Sequence, residues 1–247
     1  MILLFDIGNT NTHAGLANDR RVVKQTNLPT ANWFNGTAAK LMRKFVGRAR
    51  LDGVALCSVV PRATPFVCKI VRRLWGLNPL ELTSKTLCGV GIDYPKPDTI
   101  GPDRLANAVA ARHRFGAPVV VLDFGTAVTL DVVNRAGNYA GGIIAPSPEI
   151  SRDYLAEKTA LLPRIELKPP KSVVGRDTDE CLRSGLIFGF ADLVSGLLIR
   201  LKKEWQPEFK VVGTGGGLAV LLPYLSEKVI FDPNLTLKGI YLTGRKQ

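Results

Sequence analysis

Two apolar runs, each followed by a similar polar motif, dominate the hydrophobic pattern of the chain. Residues 2–5 and 119–122 are continuously apolar, which is typical of buried strands, and the motifs Asp6–Thr10 (Asp-Ile-Gly-Asn-Thr) and Asp123–Ala127 (Asp-Phe-Gly-Thr-Ala) follow them. At a strand end a carboxylate can hold a cation, a glycine permits a tight turn, and a threonine offers a hydroxyl to a phosphate oxygen. The pattern predicts two halves that bind one nucleoside triphosphate.

The rest of the pattern alternates strand-like and helix-like segments and predicts an α/β fold. The predicted strands include 13–17, 21–25, 54–60, 127–133 and 209–212, with another ending at 141–142, and the predicted helices are 37–46, 62–75, one from residue 102, 177–205 and 218–225. Both motifs occur in the order strand, motif, strand, turn, strand. This repetition predicts two duplicated domains, residues 1–115 and 116–247.

The net charge of the chain is strongly positive, which indicates an anionic partner. Lysine and arginine number 33 against 21 acidic residues, a formal net charge of +12, which favours binding of an anion. The basic residues are spread over several predicted helices, without the basic and aromatic stripe typical of nucleic-acid binders. We therefore expect solvated helix faces and no nucleic-acid partner.

The cysteines and the apolar runs indicate the cellular setting. Four cysteines occur without a CxxC pair or a local histidine partner, so neither zinc nor disulfides are expected, and free thiols fit a reducing cytoplasm. The start of the chain lacks the features of a signal peptide. No apolar run approaches the length that crosses a bilayer. We expect a soluble cytoplasmic protein without a membrane partner.

Two further segments carry candidate chemistry. Gly101-Pro102-Asp103-Arg104 begins a predicted helix, since proline suits the first turn, and Asp103 is there either to interact with the helix dipole or to act in catalysis. The glycine-rich turn 213–217 lies between a strand and a helix and is a candidate adenosine-side anion site. Neither a P-loop nor a proper dinucleotide-binding glycine motif is present.

Taken in order, these motifs resemble the type III pantothenate kinases, which belong to the superfamily of acetate and sugar kinases, heat-shock chaperones and actin. The matching segments are Asp6–Thr12, Gly101–Arg104, Asp123–Ala127, Gly141-Gly142, Thr159–Pro163 and Thr214–Gly216. The resemblance implies two ribonuclease H-like domains with mixed sheets flanked by helices. It also implies ATP-dependent phosphorylation of pantothenate, the first step of coenzyme A biosynthesis.

The resemblance also implies a role for individual residues. ATP would be contacted by Asp6, Ile7, Gly8, Asn9, Thr10, Asn11, Thr12, His13 and Thr126. Pantothenate would be contacted by Tyr94, Gly101, Pro102, Asp103, Arg104 and Thr178. Asp103 would accept the proton, Asp123 would bind a monovalent cation such as potassium or ammonium, and Asp6 would place the magnesium of ATP. Family members are homodimers.

The chain departs from the family pattern at two places. Pro146-Ser147-Pro148 stands where a Pro-Gly pair is usual, and Pro102 replaces an alanine. Two other functions stay open on the sequence. One is a kinase for another small hydroxylated acid or sugar, and the other is a non-catalytic accessory or regulatory relative whose charge serves an acidic partner or nucleic acid.

Overall fold

The structure is a computed structural model that describes residues 1–205 and 208–245, and these form two compact units. The first unit comprises residues 1–116, 133–141 and the chain from residue 234 onward, and the second comprises 117–132 and 142–233. The sequence predicted two continuous domains, whereas these units are interleaved along the chain. Each unit combines strands with helices, as expected for an α/β fold.

The first unit is built on a five-stranded mixed sheet. Its strands are β1 (Ile2–Ile7), β2 (Asn11–Ala17), β3 (Val22–Pro29), β4 (Gly53–Ser58) and β5 (Leu80–Glu81), in the order β3-β2-β1-β4-β5. β1 is antiparallel to β2 and parallel to β4. The helices of this unit are α1 (Thr37–Val46), α2 (Thr64–Trp75), α3 (Pro102–Phe115) and, at the end of the chain, α7 (Leu235–Gly244).

Helices α1 and α2 cover the same face of this sheet. Alternate residues of β1, among them Leu3 and Phe5, share one buried cluster with Met42 of α1 and Val67 of α2. Side chains alternate between the two faces of a strand, so the apolar stripes of both helices lie on one side. The opposite faces of α1 and α2 are left exposed to solvent.

Helix α7 explains why the end of the chain belongs to the first unit. A Cβ atom added to Gly239 would overlap the backbone of Ala106, so α7 and α3 approach each other backbone to backbone. Within this contact Thr236 Oγ1 donates a hydrogen bond to the buried Asn107 Oδ1 at 2.9 Å. The close approach fixes α3, which carries Asp103 in its first turn.

The second unit contains most of a six-stranded sheet with the order β11-β10-β7-β8-β9-β6. Its strands are β7 (Val119–Phe124), β8 (Ala127–Val133), β9 (Asn138–Pro146), β10 (Lys210–Thr214) and β11 (Val229–Phe231), and its helices are α4 (Pro148–Lys158), α5 (Thr178–Glu204) and α6 (Leu218–Leu221). The edge strand β6 (Gly91–Ile92) belongs to the first unit, where it pairs in parallel with the opening residues of β9.

Several elements differ from their predicted bounds. β9 continues beyond residues 141–142 to Pro146, and α6 ends at Leu221, followed by a short 3-10 turn. Helix α4 was not predicted from the sequence, although its start is well marked. Ser147 Oγ accepts a hydrogen bond from Ile150 N at 3.2 Å, and Pro148 occupies the first helical position. The departure at residues 146–148 is therefore a helix N-terminus with a serine cap.

The expectation that no apolar segment is long enough to cross a bilayer was wrong for α5. This helix is long and apolar enough to cross a membrane by length and composition. Ile187, Val194 and Leu198 of α5 nevertheless pack against the buried residues of β7 and β8 in one core cluster. That contact is typical of a core helix in a soluble protein.

Candidate active site

The turn between β1 and β2 forms the first candidate phosphate loop. Gly8 N donates to Asn11 O at 3.0 Å, and a Cβ atom at Gly8 would lie 2.9 Å from the same oxygen. Only glycine fits this turn without displacing the backbone. Asn9, Thr10 and Asn11 are exposed around it, so their polar groups face solvent where a phosphate can approach.

A buried hydroxyl network supports this loop from beneath. Trp33 Nε1 donates to Thr12 Oγ1 at 2.9 Å, and Thr12 Oγ1 lies 3.1 Å from Thr30 Oγ1. Thr30 Oγ1 in turn donates to Gly8 O at 2.7 Å. Because each hydroxyl has one proton, Thr12 donates to Thr30 and accepts from Trp33. The side chain of Thr12 is thus occupied in the fold, and any contact of this residue with ATP involves its backbone.

Asp6, the carboxylate at the end of β1, is held by a thiol on the neighbouring strand. The parallel register of β1 and β4 places Asp6 beside Cys57, and Cys57 Sγ donates to Asp6 Oδ1 at 3.4 Å. Burial, followed by the negative charges of Asp6 and Asp103, raises the pKa of the Cys57 thiol well above its usual range. Cys57 therefore stays protonated and remains a donor to Asp6.

Asp103 lies in the first turn of α3, and its backbone neighbours fix its carboxylate. Arg104 N donates to Asp103 Oδ1 at 2.8 Å, and a Cβ atom at Gly101 would stand 2.5 Å from that same oxygen. Burial raises the pKa of Asp103 above its ordinary value, an effect that the hydrogen bond from Arg104 opposes. A partly desolvated carboxylate of raised pKa is a stronger base than an exposed one.

An aromatic pair positions the guanidinium of Arg104. Arg104 Cζ lies 5.8 Å from the centre of the Tyr139 ring, within the range of a cation–π interaction. Tyr94 meets Tyr139 edge to face at 6.1 Å between ring centres. Gly141 lies against the Tyr94 ring, and its φ of 114° is a backbone conformation that favours glycine. The segments that carry Tyr94, Asp103 and Arg104 thus meet within the first unit.

The second motif lies in the second unit, between β7 and β8. Gly125 N donates to Ala127 O at 3.1 Å, and Gly125 and Thr126 are exposed while Asp123 is half-buried. Gly215, at φ of 90°, touches the backbone of Phe124 so closely that a Cβ atom would overlap it. The glycine-rich turn and the second motif are therefore packed together.

Two other residues predicted to contact a ligand, Thr178 and His13, have surroundings that say less about such a contact. Thr178 is the exposed first residue of α5, after Asp177, whose side chain accepts a hydrogen bond from Glu180 N at 2.8 Å. Burial lowers the pKa of His13 below its ordinary value, an effect that a hydrogen bond with Gln25 opposes. His13 is therefore a neutral side chain at physiological pH.

Three residues that shape this site were not predicted from the sequence. Cys57 orients Asp6, Tyr139 stacks with Arg104, and Thr30 ties the first loop to a buried tryptophan. Cys57 lies in the middle of the predicted strand 54–60, and only the shorter observed strand β4 places it near a strand end, as the two aspartates are. Thr30 and Tyr139 lie far from their partners in sequence and carried no local signal.

Two α/β units, a glycine turn at the end of a strand in each, and a carboxylate in the first turn of a helix define the class. They are features of the actin-like fold. A solved structure of this fold, the inorganic polyphosphate/ATP-glucomannokinase from Arthrobacter sp. strain KM, aligns with 99% of this chain and 97% of its own, with a TM-score of 0.52 and 14% identity.

Sequence comparison gives the particular family. Residues 2–200 match the family described as type III pantothenate kinase. The type III pantothenate kinase of Halalkalibacterium halodurans is 37% identical over 100% of this chain and 99% of its own. That of Methylacidiphilum infernorum is 39% identical over 98% of this chain and 88% of its own. The chain belongs to the type III pantothenate kinase family.

Proposed function

We propose that this protein transfers the γ-phosphoryl group of ATP to the hydroxyl of pantothenate, giving 4′-phosphopantothenate in the first step of coenzyme A biosynthesis. The observation that carries the assignment is the pairing of Asp103 and Arg104 in the first turn of α3, with a carboxylate of raised pKa beside a guanidinium stacked on Tyr139. The first group suits a hydroxyl proton, and the second suits a substrate carboxylate. Pantothenate carries both.

Asp103 acts as the general base in this mechanism. Its Oδ1 accepts from Arg104 N, so we assign proton transfer to the other carboxylate oxygen. The substrate oxygen loses its proton to Asp103 as it attacks the γ-phosphorus in line, and the bond to the departing ADP breaks. Phosphoryl transfer needs mainly alignment and charge neutralisation from the protein.

The phosphate contacts are assigned to exposed groups of the two motifs. In the first loop, Gly8, Asn9, Thr10 and Asn11 bind through exposed polar and backbone groups, while Ile7, Thr12 and His13 contribute through the backbone. Thr126, exposed in the second motif, offers its hydroxyl. Around pantothenate, Tyr94, Gly101, Pro102 and Thr178 complete the contacts of Asp103 and Arg104.

The donor groups of the two motifs fit the cations of such a reaction. Kinases use ATP with Mg²⁺, which keeps several waters and binds through one or two carboxylates plus the phosphates. The single half-buried carboxylate of Asp6, oriented by Cys57, suits that mode, and Mg²⁺ would neutralise phosphate charge. Asp123, half-buried at the end of β7, is the corresponding oxygen donor for a monovalent cation, potassium or ammonium.

The direct test is ATP turnover against pantothenate and a panel of other hydroxylated acids and sugars, with and without potassium or ammonium. We expect turnover with pantothenate that rises when the monovalent cation is added. Asp123→Asn should raise the potassium concentration for half-maximal activity, while the exposed Glu157→Gln control should not. Turnover with a sugar but not with pantothenate would contradict the assignment of pantothenate as the substrate. The absence of turnover with every acceptor tested would favour a non-catalytic relative.

The outer face of α5 supports a homodimer. Leu193 and Ile199 are 37% and 56% exposed, and Cβ atoms added at Gly185, Gly189 or Gly196 would meet no atom within 4 Å. This face has three glycines and also carries the exposed Asp192 and Arg200. Its small and apolar positions can accept the same face of a second copy.

Sedimentation velocity tests the homodimer. We expect a dimer for the wild type and a monomer for Ile199→Glu, because a buried unpaired carboxylate opposes association. Val23→Glu, an exposed apolar position in the first unit, is the matched control and should remain dimeric. A wild-type monomer at micromolar concentration would contradict the dimer.

The four free cysteines, Cys57, Cys68, Cys88 and Cys181, fit a cytoplasmic location.

A further inference from the structure

The positive charge of the protein is concentrated on one face of the first unit. Between residues 37 and 76 there are nine basic residues and a single acidic one, a net charge of +8 out of the total of +12. The nine are all exposed: Lys40, Arg43, Lys44, Arg48, Arg50, Arg62, Lys69, Arg72 and Arg73. They lie on α1, on α2 and in the segments that adjoin them, and we call them the basic face.

The tertiary structure brings these residues together. Both α1 and α2 pack their apolar stripes on the same side of the sheet, so their polar sides both face solvent on that side. Along α2, Lys69 and Arg73 follow Phe66 by three and seven residues, which places them on one stripe of the helix. Along the sequence the basic residues are dispersed over separate helices, which favoured solvated faces over a nucleic-acid site. In the fold they share one side of the sheet, so their dispersal along the chain no longer excludes a polyanion.

Few carboxylates neutralise this charge. Among the nine, and within residues 1–205 and 208–245, only Arg50 forms an ion pair, with Asp52 at 3.8 Å. The second unit differs, because its basic residues are commonly paired, as in Arg164 with Asp153 at 2.8 Å and Lys202 with Glu227 at 2.6 Å. The charge of the basic face is thus left for an external anion.

Exposed aromatic rings accompany the charges. Phe34, just before α1, and Phe66, on α2, are 46% and 44% exposed, and their rings meet edge to face at 5.3 Å between centres. Exposed phenyl rings beside unpaired lysines and arginines match the two requirements of single-stranded nucleic acid, which are base stacking and phosphate neutralisation.

We propose that the basic face, together with Phe34 and Phe66, binds single-stranded nucleic acid without strong sequence preference. Lysine and arginine side chains of α1 and α2 contact the phosphates, and the phenyl rings stack with bases. This binding is separate from the kinase reaction, because none of these residues is assigned to ATP or pantothenate.

The test is fluorescence anisotropy of a labelled 20-nucleotide single strand of mixed sequence at several salt concentrations. We expect micromolar binding by the wild type at low salt. Arg43→Glu/Arg73→Glu should weaken binding by about tenfold or more and reduce the slope of log affinity against log salt by about 1.4, since each phosphate contact on a single strand contributes about 0.7. Phe66→Ala should weaken binding by about tenfold with an unchanged salt slope.

The matched control is Lys168→Glu/Lys171→Glu in the second unit, which lowers the net charge by the same amount and should leave binding unchanged. Circular dichroism melting and kinase turnover show whether each variant is folded. Equal weakening by the two double variants would overturn the proposal, because binding would then follow bulk charge. Absence of binding by the wild type at 50 mM salt would also overturn it, as would stronger retention on phosphatidylserine vesicles that the same basic-face variant abolishes.

Discussion

Asp103→Asn should lower kcat for pantothenate phosphorylation by about a hundred- to ten-thousand-fold, the usual contribution of general-base catalysis. Asparagine keeps an oxygen that can accept from Arg104 N, so the first turn of α3 stays in place while the base is lost. The KM for ATP should change little, because Asp103 is not part of either glycine turn. Steady-state kinetics of the purified variant give both values.

The control for this substitution is Asp98→Asn, in the exposed segment just before α3. Asp98 Oδ1 accepts a hydrogen bond from Ser84 Oγ at 2.6 Å. No role in binding ATP or pantothenate or in proton transfer is assigned to Asp98, so kcat should be unchanged. Near-normal turnover in Asp103→Asn would rule out Asp103 as the base.

The raised pKa of Asp103 gives two further expectations for the same residue. In the wild type, kcat/KM should fall on the acid side with a midpoint above the pKa of an ordinary aspartate, because protonation removes the base. The ionised carboxylate is disfavoured in the folded state, so its cost is absent below the unfolded pKa and develops as pH rises through the folded pKa. Asp103→Asn should therefore raise the melting temperature at neutral pH, a gain that disappears in acid.

Gly239→Ala should destabilise the protein by about 3 kcal/mol, the upper end of the usual cost of overpacking. The added methyl group would overlap the backbone of Ala106 rather than the end of a flexible side chain, so α7 and α3 must separate. Because α3 carries Asp103 and Arg104, kcat/KM should fall as well. Chemical denaturation measures the loss of stability, and turnover at low temperature measures the loss of activity.

Gly53→Ala in the same unit is the matched control, since a Cβ atom there meets no atom within 4 Å. Its effect on the free energy of unfolding should lie within about 0.5 kcal/mol. Equal stability of the two variants would show that the backbones of α3 and α7 are not in contact at Gly239.

The strand and helix pattern of the chain was largely predictable where it is local. The helix α1 has the predicted bounds, and the paired Asp-x-Gly turns lie at strand ends, because apolar periodicity and glycine punctuation act over a few residues. The missed α4 also had local signals, namely Ser147 as a cap and Pro148 in the first turn, which the irregular composition of the region obscured.

The first loop illustrates what the local pattern leaves undetermined. The sequence places Thr12 among several hydroxyls near a predicted phosphate site, and nothing local distinguishes it from Thr10. In the structure Thr12 is buried and bonded to Trp33, whereas Thr10 is exposed. Thr10 lies in the turn before β2, whereas Thr12 lies within the strand on the face that Trp33 covers. Choosing between the two hydroxyls therefore requires knowledge of which face of the sheet is covered.

By itself the sequence determined the family, the two glycine turns and the candidate base, since these depend on residues that are close along the chain. Only the tertiary structure decided which groups support them. The pairing of β1 with β4 brings Cys57 to Asp6, the arrival of Tyr139 orders Arg104, and the return of α7 fixes α3. The tertiary structure also decided that the basic residues of α1 and α2 share one face. These contacts join residues far apart in sequence, and packing against a common sheet is the physical cause that the local pattern does not contain.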